Sequence, residues 1–254
     1  MACALQLINR YNRYVYMIVT TLLSCIRHAE FERAVVVARK FDDLIRHYNN
    51  WCTDNKRTNN CTQWLIISGI FVSWTSIAIA VAFAVPGVVP LYIFAIQITM
   101  RITFSMEVAK FYFLYDALCR RFCRINGLYR KLTGMGVGIY IASAMHINRL
   151  TISNLQQLHS CLMDATHHLN SYYSPQLFFW IICMEIDIAT FIFLNLYEIV
   201  IAMTCIQFII MLYFILQFIS ICYICQVTCY QVRIFDGLLD ERNDCFNTNF
   251  NKIF

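Results

Sequence analysis

The chain has 254 residues, of which 59% are hydrophobic and 14% charged; ordinary soluble domains run at about 45–50% and about 25%. Phe (20) and Tyr (15) abound while Gly (7) and Pro (3) are scarce, which favours long helices over a turn-rich β architecture. The net charge of +5 is small and unevenly placed, which argues against nucleic acid as a partner. The expected fold class is all-α: a polytopic transmembrane helical bundle with long cytoplasmic helical extensions, a single membrane domain over 1–254.

At the N-terminus only Tyr14–Ile26 is continuously apolar, about 13 residues against the ~20 that cross a bilayer. Arg10 and Arg13 precede it and no small-residue cleavage site follows, so 5–26 reads as a partial span and not as a secretory signal. Segment 27–63 is polar, with helical spacing at Phe31, Val35, Ala38, Phe41 and Ile45, and it ends in an Asn-rich patch. A full span is expected at 64–85, closed by a Pro86-Gly87-Val88-Val89-Pro90 turn. The next is 91–115, despite Arg101, Glu107 and Lys110. Segment 116–175 opens with a basic helix (Arg120, Arg121, Arg124, Arg130, Lys131) and a glycine-rich linker at 134–138. Within it Leu155, Leu158, Leu162, Ala165, Leu169 and Tyr172 mark one helix face. Gln156, Gln157, Ser160, Asp164, His167 and Asn170 mark the other. Spans at 176–197 and 199–227 follow with almost no loop between them, then a polar tail at 228–254.

Lys and Arg set the expected topology. Seven fall in 27–63 and six in 116–175, whereas the turns at 86–90 and 196–202 carry none. Segments 27–63, 116–175 and 228–254 are therefore expected in the cytoplasm and the short turns outside. The sequon Asn60-Cys61-Thr62 would then be silent.

Ionisable residues inside spans mark a pathway, a site or a pair. Arg101 and Asp187 each stand about 10 residues, roughly 15 Å at 1.5 Å per residue, inward from the outer ends of their spans. Glu185 is half a turn from Asp187. The candidate ligand-binding residues are Arg101, Glu185, Asp187, Gln97 and Thr75, with Arg101 pairing Asp187 or Glu185 across a polar cavity open to the outside. The plainer alternative is structural pairing or snorkelling, and the span's other polar residues commonly bond helices together.

No metal or cofactor is expected. His159, Asp164, His167 and His168 read as a solvated polar face. Cys222-Tyr223-Ile224-Cys225 is a CxxC without a second pair, and most of the 13 cysteines lie in apolar runs, where a thiol behaves as a small hydrophobe. The glycines at 134–138 lack a phosphate loop's GK[ST] ending, and no nucleophile arrives with a base and an orienter, so no enzyme is expected. Tyr172, Tyr173, Phe178, Phe179 and Trp180 read as an aromatic belt at the inner leaflet.

KFYFLYDALCRRFCRINGLY at 110–129 and LQQLHSCLMD with LNSYYSPQL at 155–164 and 169–177, together with the inside-positive arrangement, resemble the insect gustatory receptors. These belong to the seven-span, inverted-topology chemoreceptor superfamily. The resemblance covers 30–235 and implies that 64–85, 91–115, 176–197 and 199–227 correspond to spans three to six. It further implies a tastant-gated cation channel of the plasma membrane, taste perception through small-molecule tastants, and tetramers, homomeric or with related receptor subunits. The chain offers no counterpart of the family's first span, nor of its last, with the Thr-Tyr and Gln-Phe pairs. The expectation is a gustatory receptor-like chemoreceptor, with a truncated gene model, a pseudogene-like product and a diverged receptor-like protein all open as the reason for the missing spans. The alternatives are a receptor-like membrane scaffold or partner subunit without its own pore, and a small transporter, for which no internal repeat is found.

Overall fold

The computed structural model describes residues 2–48, 60–84, 91–134, 151–197 and 201–250. Among these residues the secondary structure is wholly helical, in six elements. They are α1 (Ala2–Ile26), α2 (His28–Tyr48), α3 (Asn60–Ala84), α4 (Leu91–Gly134), α5 (Ile152–Tyr197) and α6 (Ile201–Phe250). The all-α expectation holds. The turn at 86–90, residues 135–138 of the glycine-rich linker and residues 198–200 of the last turn lie outside the described residues.

Two helical stretches among the described residues are long and apolar enough to cross a membrane, Gln63–Ala80 and Phe208–Gly237; Tyr14–Ile26 is a shorter apolar helix. Only 11% and 17% of the two long stretches are buried. The core helix of a soluble protein would bury most of such a surface, whereas Trp64, Leu65, Val72, Leu212, Leu216 and Ile219 are exposed here. Hydroxyls on these helices return to their own backbone: Thr75 Oγ1 donates to the Phe71 carbonyl (2.8 Å) and Ser220 Oγ to that of Leu216 (2.8 Å). That is how a hydroxyl satisfies itself where water is absent. The expected end of the last span at 227 does not end its helix. α6 runs on to Phe250, with Phe235 wholly buried.

The residues group into two compact units. The first comprises Met1–Phe31, Asn55–Phe113 and Leu169–Ile221. In it α1 and Arg27, which directly follows it, lie against α5 through three side-chain contacts that run antiparallel. Asn12 Nδ2 donates to the Cys183 carbonyl (3.1 Å), Gln176 Nε2 to Ser24 Oγ (3.2 Å), and Arg27 Nη1 to the Ser171 carbonyl (2.7 Å) and Oγ (3.1 Å). The last contact has a backbone cause. Pro175 lies inside α5 and has no N–H to give to the carbonyl four residues back, which is that of Ser171. The Arg27 guanidinium supplies the missing donor.

The second unit comprises Glu32–Asp54, Leu114–His168 and Cys222–Phe254. Thr151 opens α5 as an N-cap, its Oγ1 accepting from the Asn154 N–H at 3.2 Å. Leu155, Leu158, Leu162 and Ala165 are then buried as the spacing predicts, and Gln156, Gln157, Ser160 and Asp164 are exposed. On α2, Phe41 and Ile45 are buried as expected, joined by Ala34 in place of Val35. α2 and α4 are joined by a bidentate pair, Arg121 Nε and Nη2 to the Asp42 carboxylate at 3.0 and 2.7 Å. α4 and α6 meet where Asn126 Nδ2 donates to the Gln231 carbonyl at 2.9 Å. Among the basic residues of α4, Arg120, Arg124 and Arg130 are exposed, and Arg120 also pairs with Asp116.

Two expectations need correction. His159 is not on a solvated face: it is 9% exposed and packs among aromatic rings. Nor does the 172–180 run form one belt, since Tyr172, Tyr173 and Trp180 are buried while Phe178 is 61% exposed. Trp180 stacks between Phe104 (5.8 Å) and Phe218 (6.1 Å).

Candidate functional site

The first unit holds a partly open cavity of about 30 Å³, room for about two water molecules. α1 contributes Tyr16 and Met17, α4 Met100, Arg101 and Phe104, α5 Cys183, Met184 and Asp187, and α6 Phe214. Two side chains of opposite charge, from helices distant in sequence, thus line one space whose other walls are aromatic rings and sulfur-bearing chains.

The aromatic wall is built around Phe104. Its ring lies 4.9 Å from Tyr16 and 5.8 Å from both Trp180 and Phe214, the last edge-on. Trp74 of α3 lies under Arg101, the guanidinium carbon 5.1 Å from the indole centroid and 6.0 Å from that of Phe214. Such placement favours the cation while it is out of water. Ser105 fixes the indole. Its hydroxyl donates to the Arg101 carbonyl (2.9 Å) and accepts from Trp74 Nε1 (2.9 Å). With Trp74 1% exposed, that hydrogen bond leaves its donor satisfied.

Of the five candidate residues, Arg101 and Asp187 come together at this cavity. Glu185 is exposed and not among the lining residues. Thr75 is also exposed, its hydroxyl held by the Phe71 and Val72 carbonyls. Gln97 lies on α4, with its side chain outside the described residues. A neighbour in sequence was the better choice in one case: Trp74, not Thr75, faces Arg101, because one residue turns a helix by about 100°. The polar composition pointed to Arg101 and Asp187, while the aromatic walls gave no signal distinct from lipid-facing residues.

Among the described residues no group of three His, Cys, Asp or Glu side chains could hold a metal ion, and Cys222 and Cys225 are free thiols. Lys110 contacts Glu107 on its own helix at 3.7 Å and lies 5.5 Å from the Phe31 ring. No family model, curated protein or solved structure matches this chain.

Proposed function

We propose that the chain is a gustatory receptor-like chemoreceptor, a subunit of a tastant-gated cation channel of the plasma membrane. In this reading 64–85, 91–115, 176–197 and 199–227 span the bilayer as one polytopic bundle, with 27–63, 116–175 and 228–254 in the cytoplasm. Related subunits complete a tetramer, and a small-molecule tastant is the ligand. The single observation that carries the reading is the cavity lined by both Arg101 and Asp187. An ionisable residue at membrane depth is expensive and commonly marks a site, and two of opposite sign lining one cavity would meet a polar ligand with charges of both signs. The cavity is small as it stands. Met17, Met100 and Met184 line it, and methionine side chains re-pack readily, which is how a ligand would gain room.

The reading is tested by current recording in cells expressing the chain with related receptor subunits, against a panel of sugars, amino acids and alkaloids. It predicts a ligand-evoked cation current that Arg101→Met and Asp187→Asn each abolish or reduce at least about tenfold, the effect of losing a buried charged contact, with surface delivery unchanged. Absence of any ligand-evoked current or binding, with the protein at the surface, contradicts it. Binding without current would favour the poreless partner-subunit reading.

A further inference from the structure

The second unit buries an imidazole amid aromatic rings. The ring of His159 on α5 lies parallel to Phe235 of α6, with 4.1 Å between centroids and 14° between planes. It meets Phe122 of α4 edge-on at 5.6 Å, and Phe235 meets Tyr129 of α4 at 5.6 Å. Phe122 and Phe235 are wholly buried. His159 Nε2 is itself buried and has no hydrogen-bond partner among the described residues. Neutral imidazole can leave that nitrogen as an unused acceptor, but imidazolium carries an N–H on both nitrogens. Protonation would therefore put a charged donor where none of the described residues accepts from it.

We propose that His159 is a proton-operated latch, which holds α4, α5 and α6 together in the second unit when neutral and releases them when protonated. Two attractions oppose release. The ring faces favour a cation, and the exposed Asp236 carboxylate on α6 draws the proton on. Burial outweighs them and holds the imidazole below its ordinary value. Among the described side chains of the second unit, the α4 carboxylate Asp116 pairs with Arg120. On α4, burial and then Cys123 push the Cys119 thiol up to about 11, Arg121 is engaged by Asp42, and Arg124 is exposed. On α5, burial also raises the Cys161 thiol, and Asp164 is exposed. Because the folded value lies below the unfolded one of about 6.5, the stabilisation is complete above about pH 6.5. It is lost as pH falls through the folded value.

Hydrogen exchange of the full chain in lipid nanodiscs tests this, with opening of residues 152–165 corrected for the intrinsic exchange rate. Between about pH 7.5 and about pH 5, opening should rise severalfold with its midpoint below the ordinary histidine value. His159→Phe, which can stay in the stack, and His159→Gln, which stays polar without titrating, should both flatten the rise. Asp236→Asn should move the midpoint lower. No rise in the wild type, or the same rise in both His159 variants, overturns the latch.

Discussion

Trp74, Ser105 and Arg101 form a small chain of dependence: the serine hydroxyl orients the indole, and the indole face receives the guanidinium. Ser105→Ala should strand the Trp74 N–H in the core and cost about 1–3 kcal/mol, the desolvation of an unpaired buried donor. Trp74→Phe in that background should cost less than in the wild type, because no donor is left to strand. Thermal unfolding of the four proteins in detergent measures the coupling, and additive losses would show the contact to be idle. Cysteine chemistry gives a second check outside the spans. Cys119 is buried with its thiol pushed up to about 11, whereas Cys123 one turn on is exposed. Maleimide near neutral pH should therefore modify Cys123 and spare Cys119 until the protein unfolds. Peptide mapping of the folded protein reads this directly. The spacing of apolar residues gave the buried face of α5 at Leu155, Leu158 and Leu162, but His159 lies between them on that same face. Its polar identity outweighed its position, and the aromatic partners that bury it come from helices far away in sequence.

At the level of helices, the proline inside α5 is tolerated because Arg27, between α1 and α2, repairs it. Arg27 donates to the Ser171 carbonyl that Pro175 leaves without an N–H. Arg27→Met should cost about 1.5–3 kcal/mol, as expected for a hydrogen bond from a charged donor. In a Pro175→Ala background, where the backbone N–H is restored, the same change should cost clearly less. Equal costs in the two backgrounds would mean that the guanidinium acts elsewhere. Leu158→Ala, at a wholly buried position of α5, should cost about 2–5 kcal/mol, and Gln157→Ala on its exposed face close to nothing; denaturant titration would separate them. Helix identity was legible from periodicity and the scarcity of breakers. Helix length was less so. Pro175 suggested an entry point to a span, yet α5 runs straight through it, and α6 continues past the last apolar run. A tertiary hydrogen bond in one case and the packing of Phe235 in the other outweigh what the local sequence suggests.

For the whole molecule, composition announces membrane association, and the two long apolar stretches with little burial agree with it. The expected number of spans rests on the apolar runs, and their orientation on charge placement, seven and six Lys or Arg in 27–63 and 116–175 against none in the short turns. The cavity was legible only in part, because two charges at similar depth were visible in the sequence while the rings that surround them are assembled from α1, α3, α4, α5 and α6. The most direct test of the proposed polytopic topology is cysteine labelling on intact cells. Single cysteines would replace Gly87, Glu198, Arg46 and Arg130 in a chain stripped of its own cysteines, with a membrane-impermeant maleimide as the probe. Labelling at 87 and 198 on intact cells, and at 46 and 130 only after permeabilisation, is the predicted result. Labelling at 46 or 130 on intact cells, or at none of the four until the cells are opened, would contradict it.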